Sequence, residues 1–290
     1  MKNFTFCILI LAFSLFICNK NSAQYTEVGV GLGFSTYWGD LNGQSFSKNV
    51  IKNSGLAIQL SARKIIKKYI GVKGSFSYGS MKGDDANSSR DWQKLRNLNF
   101  KSSIMELALT GEFYLFGYDT EPGSSVFSPY LTAGIAAFRF DPKTIYQGNE
   151  VRLQPLGTEG QGMTGFKNKY SLYSFSIPFG AGAKFLISDK VNVSIDVIIR
   201  RAFTDYLDDV SSKYVNYDDL NAGNGTLAAN LGNRMNEYLG QSEPVQLQTG
   251  TQRGGAIVND YYIMSFVSMN IMLNDGSRNF GSGKIICPKF

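Results

Sequence analysis

The sequence predicts an all-β protein, an eight-stranded antiparallel transmembrane outer-membrane β-barrel with long extracellular loops and short periplasmic turns. Three observations lead there: eight segments alternate apolar with polar or glycine residues, their connections alternate long and short, and the first two dozen residues read as an export signal. Successive side chains of a strand point to opposite faces, so each segment has one oily and one polar side.

Met1 to Asn3 carry one lysine, Phe4 to Cys18 are almost all apolar, and Asn19 to Gln24 are polar and small. That is the layout of a secretory signal peptide, cut near Ala23. The apolar run is too short for a spanning helix, and no later stretch approaches one. Ile17 stands where a small residue is expected before a lipid-acceptor cysteine, which argues against lipidation of Cys18. The expected organisation is a signal peptide at 1–23, a barrel at 24–274 and a periplasmic C-terminal tail at 275–290. Roughly 266 residues then remain, within range for one β domain. Loss of Lys2 and Lys20 lowers the formal charge from +6 to about +4, too mild to indicate nucleic acid. Cys7 and Cys18 leave as well, so Cys287 has no intramolecular partner.

Strand one is expected at 25–37. It holds Gly29-Val30-Gly31-Leu32-Gly33, which superficially matches a dinucleotide loop but lies inside an alternating strand instead of before a helix. Strands two (55–66) and three (69–80) carry Arg63 and Lys73 on their polar faces, and strand four (102–116) carries Glu106 and Glu112. Strand five (128–140) places Arg139 on its oily face. Strand six (170–187) alternates most clearly: Tyr173, Phe175, Ile177, Phe179, Ala181, Ala183 and Phe185 oppose Ser174, Ser176, Pro178, Gly180, Gly182 and Lys184. In strand seven (191–204), Val191, Val193, Ile195, Val197 and Ile199 oppose Asn192, Ser194, Asp196 and Arg200, with Arg201 on the oily side. Strand eight is expected at 260–274.

Connections after strands one, three, five and seven run about 17, 21, 29 and 55 residues, against about 2, 11 and 3 after two, four and six. Short turns are periplasmic and long loops external in such barrels, so both termini are expected in the periplasm. Arg139 and Arg201 then lie near the outer end, where they meet lipid phosphates or have already left the membrane. Tyr37, Trp38, Tyr78, Phe113 and Phe116 near strand ends suggest an interfacial girdle.

With the polar face inward, the lumen receives Glu27, Arg63, Lys73, Glu106, Glu112, Lys184, Asp196 and Arg200, four of each sign. Equal numbers suggest a paired network, because an unpaired ion is costly in so narrow an interior. Lys73 and Glu112, at similar depth on neighbouring strands, are the expected closest pair. Side chains fill an eight-stranded interior, so the lumen is expected to be plugged. A soluble barrel would reverse these faces and line its cavity with the oily side.

The chain has no histidine, which removes the commonest general base and transition-metal ligand. No catalytic residue and no cofactor site is expected. Asp205, Asp208, Asp209, Asp218 and Asp219 open the longest loop and are a weak calcium candidate, although their spacing fits no calcium-loop template. Leu220, Leu227, Leu231, Met235 and Leu239 recur at near-helical spacing, which predicts a short helix over the outer mouth.

Several long polar strings stand out: Tyr37-Trp38-Gly39-Asp40-Leu41, Gly83-Asp84-Asp85, Arg96-Asn97-Leu98-Asn99-Phe100-Lys101-Ser102 running into Met105-Glu106-Leu107, Leu153 through Gly162, Ile177-Pro178-Phe179-Gly180, and Phe203 through Ser211. In these strings the chain resembles the Bacteroidetes outer-membrane barrels grouped with PorG, a component of the type IX secretion system. The resemblance spans most of the chain but weakens from about 218 to 259. It implies a non-enzymatic part of a protein-export machine, tying a periplasmic ring of a lipoprotein and its partner to the outer membrane. Arg63, Lys64, Lys67 and Lys68 cluster at the first short turn, and Arg278, Lys284 and Lys289 follow strand eight. Asp119, Glu121, Asp189 and Asp275 offset part of that charge. This basic face is a candidate for docking a complementary protein surface, or for solvated turns beside anionic lipids. The competing function is a small surface barrel whose long loops bind an extracellular ligand or stabilise the envelope.

Overall fold

A computed structural model describes residues 25–42, 52–118, 126–188, 190–255 and 259–273. The segments expected to be the signal peptide and the C-terminal tail, with Cys287, lie outside the described residues. Strands form at β1 (Tyr25–Trp38), β2 (Ser54–Lys67), β3 (Ile70–Asp84), β4 (Asn99–Tyr114), β5 (Phe127–Tyr146), β6 (Asn149–Arg152), β7 (Tyr173–Leu186), β8 (Val191–Ala202) and β9 (Tyr261–Met272). Each pairs antiparallel with its neighbours, and β1 against β9 closes the ring, from Glu27 opposite Met272 to Trp38 opposite Tyr261. Eight strands make the closed barrel. The ninth, β6, only extends β5 at one rim.

Closure leaves no sheet edge to satisfy, and the alternation fixes which face turns in. Outward residues Leu32, Leu56, Leu107, Ile135, Phe175 and Val267 are all more than half exposed, while inward Gln59, Ser77, Ser194 and Asn270 are buried. The barrel is therefore apolar outside and polar inside, the reverse of a soluble barrel. An oily belt around a closed set of hydrogen-bonded strands is the solution a bilayer demands. Gly29 and Gly31 face inward, where a Cβ would collide with the side chains of Asn270 and Ser268. Their role is room for the lumen.

The described parts of connections 39–53, 85–98, 147–172 and 203–260 gather at one end, and those of 68–69, 115–126 and 187–190 at the other. Three strands differ most from the sequence expectation. β4 begins earlier and β5 ends later, because Lys101 to Ser103 go on pairing with Asp141 to Lys143. β7 begins only at Tyr173, since Tyr170 is part of the loop packing. Among the described residues the loops carry short helices at α1 (Asp91–Arg96), α2 (Tyr217–Asn224), α3 (Thr226–Gly232) and α4 (Met235–Leu239). Where one helix over the mouth was expected, Gly225, Gly232 and Gly240 divide the segment into three.

Apolar packing falls into three groups. Tyr37, Phe100, Ile104, Phe138, Phe140, Tyr262, Met264 and Phe266 join the barrel's loop end to Leu41, Leu207, Val210 and Leu231 above it. Ile65, Tyr114, Tyr118 and Tyr130 fill the turn end. Val215, Leu220, Ala228 and Ala229 form a small core within the loops.

Candidate functional site

Two polar constructions stand out, one in the lumen and one in the loops above it. In the lumen, all eight expected charged residues are buried. Arg63 joins two carboxylates, Glu27 at 3.1 Å and Glu112 at 2.8 Å. Lys184 also pairs with Glu27. Lys73 reaches Asp196 at 3.1 Å, and Arg200 reaches Glu106 at 3.0 Å. The expected pair of Lys73 and Glu112 does not form, because Glu112 lies opposite Gly71 and Lys73 opposite Thr110. A lysine two residues out of register finds a carboxylate across the lumen instead.

Tyrosines complete these pairs. Tyr114 donates to Glu112 at 2.6 Å, Tyr262 donates to Glu106 at 2.7 Å, and Tyr130 donates to Asp196. At the turn end, the rings of Tyr114 and Tyr118 stack at 5.5 Å, and the Lys184 ammonium lies 4.3 Å over Tyr118. Buried ions need such partners, since removing one strands the other in a dry interior. The charges interleave with tyrosines toward the turn end and with phenylalanines toward the loop end, and together these side chains fill the bore.

The second construction joins five of the loop strings singled out in the sequence. Arg96 grips Asp85 with two nitrogens, each at 2.7 Å, and donates to the carbonyls of Asp40 and Arg253. Arg253 in turn pairs with Glu159 at 3.0 Å and donates to the Asp209 carbonyl at 2.8 Å. Glu159 accepts from the backbone of Ser211 and Ser212. Asp209 takes hydrogen bonds from Thr158 at 2.5 Å and Tyr170 at 2.6 Å. Tyr170 stacks on Tyr206 at 4.5 Å. Gly157 and Gly160 turn the chain at φ +66° and +81°, backbone suited to glycine.

Asp208 and Asp260 lie at the base of this cap. Both approach the Tyr37 hydroxyl, at 2.5 and 3.2 Å, although it has a single hydrogen to donate. Burial, and then nearby carboxylates, push both well above the usual aspartate range. Burial likewise raises Asp205 to about 7 and Asp209 to about 6.

The calcium reading of Asp205, Asp208 and Asp209 is corrected by these contacts. Asp208 and Asp209 face different partners, and among the described residues no group of three or more His, Cys, Asp or Glu is placed to hold an ion. The girdle loses Tyr37, which is buried in the cap, while Trp38, Tyr78, Phe113 and Phe116 remain exposed on the wall or turns. Arg201 is exposed and Arg139 half-buried, opposite Tyr261 and Tyr173 respectively. Of the basic turn, Lys67 and Lys68 are exposed and Lys64 is half-buried. Arg63 is 1% exposed and committed to the lumen, so it leaves the docking group. Asp119, Glu121, Asp189, Asp275, Arg278, Lys284 and Lys289 lie outside the described residues. Sequence reading missed Arg253, Glu159, Tyr170 and Asp260 as structural charges or anchors. Glu159 lay in a recognised string, but nothing local in the sequence marked its partner 94 residues away.

A closed barrel with an oily exterior, a neutralised charged interior and no spanning helix among the described residues defines a membrane β-barrel of the outer-membrane type. Residues 4–230 match the family described as a domain of unknown function, DUF6089, and the chain belongs to that family. No curated protein matches the sequence. Solved structures similar to it include Neisserial surface protein A, at 9% identity over 86% of this chain and 99% of that one, with a TM-score of 0.41. Others are Ail of Yersinia pestis (10%, 86% and 97%, 0.38) and OprG of Pseudomonas aeruginosa (12%, 87% and 97%, 0.39).

Proposed function

We propose that this barrel is a non-enzymatic component of a type IX protein secretion machine, anchoring a periplasmic ring complex at the outer membrane. The observation that carries the reading is the set of polar strings resembling the PorG-grouped barrels. Five of them are the segments that interlock in the cap, through Tyr37, Asp85, Arg96, Glu159, Asp208 and Asp209. The filled bore favours anchoring over passage of cargo through the barrel itself. The ring would meet the short turns, where Lys64, Lys67 and Lys68 offer positive charge to an acidic partner. Deleting the gene and measuring secretion of known type IX cargo tests the proposal. Loss of secretion, with ring proteins co-purifying with the intact barrel from detergent-solubilised envelopes, is expected. Normal secretion with an intact ring would overturn it.

A second reading, a surface barrel binding an extracellular ligand or stabilising the envelope, is favoured by one observation. The described part of the 203–260 connection is folded, with helices and its own apolar core around Leu220, Ala228 and Ala229.

A further inference from the structure

Lys82, Lys101, Lys143 and Arg152 stand directly opposite one another on four neighbouring strands, β3, β4, β5 and β6. Like charges directly opposite across strands repel and destabilise the pairing. Lys143 is relieved by Glu150 at 2.6 Å and Arg152 by Asp141 at 2.9 Å. Lys82 and Lys101 have no hydrogen bond or ion pair among the described residues. Both are exposed on the outer side of the wall. Lys52 joins them from the connection ahead of β2, held by Asn87 at 3.1 Å.

These four lysines line one cavity of about 230 Å³, together with the polar side chains of Asn99 and Thr144. The acids in its lining are Asp84 and Glu150, and both are engaged: Asp84 caps the turn at Ala86, and Glu150 holds Lys143. The cavity is below the usual volume for a whole small-molecule ligand. It suits one phosphate-sized group, with the remainder of the bearer lying outside.

We propose that this lysine cleft binds the phosphate of a membrane lipid headgroup, seating a phosphorylated lipid against β2 to β5. Position selects a lipid over a soluble anion. Directly below the cleft, the same outward faces carry Phe76, Tyr78, Met105 and Leu107, all at least 40% exposed and placed for acyl chains. Lys82 is four residues beyond Tyr78, roughly 13 Å along the strand, and lysine stems bend toward a headgroup layer while keeping the ammonium in water. Lys52, Lys82 and Lys101 then have a ligand whose charge offsets their repulsion. The inference stands apart from any role in secretion, because it concerns the lipid side of the wall and not the turns.

The test uses the full barrel reconstituted in phosphatidylcholine nanodiscs containing a bisphosphorylated glycolipid or its dephosphorylated counterpart, with bound lipid counted by native mass spectrometry. At least tenfold preference for the phosphorylated lipid is expected, and a Lys82→Gln/Lys101→Gln variant should lose it. Lys67→Gln/Lys68→Gln, at the opposite end, should keep it. The cleft variant should also unfold at a higher urea concentration than the parent in phosphate-free lipid, since the repulsion is gone; this readout shows that lost binding is not lost folding. Equal retention of the two lipids, or an unchanged preference in the cleft variant, would overturn the proposal. Full displacement of the lipid by millimolar inorganic phosphate would also overturn it, reassigning the cleft to a soluble anion.

Discussion

At the scale of single residues, the cap's aspartates hold charge in an unusual state for surface loops. Asp205 and Asp209 have folded-state pKa values raised to about 7 and about 6 by burial. A carboxyl raised in this way binds its proton more tightly when folded, so folding takes up protons. The stabilisation is full below the unfolded aspartate pKa, near 4, and is lost as pH rises through about 6 to 7. Asp208 and Asp260 act in the same direction around the one hydroxyl of Tyr37. Amide hydrogen exchange at 203–212 should therefore be slower at pH 5 than at pH 8. Asp205→Asn, which is neutral throughout, should flatten part of that difference; equal exchange at both pH values in the parent would refute this account. The acids were visible in the sequence as a cluster, but their chemistry was not. All five aspartates look solvated in the sequence, and Asp218 and Asp219 are exposed, whereas Tyr37, Thr158 and Tyr170 arrive from distant positions to bury and hydrogen-bond Asp208 and Asp209.

At the scale of elements, alternation reported the barrel well because lipid and lumen impose opposite demands on successive residues. All eight wall strands were legible, and the eight charges read as lumenal are all buried. Depth and partner were not legible. Lys73 met Asp196 instead of Glu112 because register and the curve of the wall, which no single segment encodes, decide what faces what across the bore. The missed β6 illustrates the same limit, since four residues pairing with β5 above the belt lack any oily face to announce them. The loop helices bear on function directly. Residues 213 and 252 are bridged backbone to backbone, a natural seam across which 214–251 can be replaced by an Asn-Gly turn. The wall does not need that segment, so the variant should still show the heat-modifiable mobility of a folded barrel. Loss of Leu220, Ala228 and Ala229 should expose Leu156 and Met163, making 153–170 a site of limited proteolysis. Secretion should survive the replacement if the turns do the work, whereas loss of secretion with the barrel intact would move the function to the cap.

At the scale of the whole molecule, the barrel is sealed by groups that favour uniqueness over raw stability. Buried ion pairs recover little beyond their desolvation cost, yet breaking one leaves the other ion stranded, at about 3–5 kcal/mol. Arg200 has two nitrogens on Glu106, and Tyr262 supports the same carboxylate. Glu106→Ala should thus lower unfolding stability in lipid by about 3–5 kcal/mol, read as a shift in the urea midpoint. Replacing the pair together, as Glu106→Leu with Arg200→Met, should recover most of that loss, because neither ion then remains. Conductance separates sealing from pairing. Phe138 and Tyr262 lie level with this pair, Phe140 fills the bore above it, and Tyr114, Tyr118 and Tyr130 fill it below. Planar-bilayer recordings should therefore show no sustained channel in the parent or in the double variant, even though the latter has lost one of its charge tiers. A steady open channel in the parent would show that the charges line a conduit, and the bore would then have to be read as a path for ions.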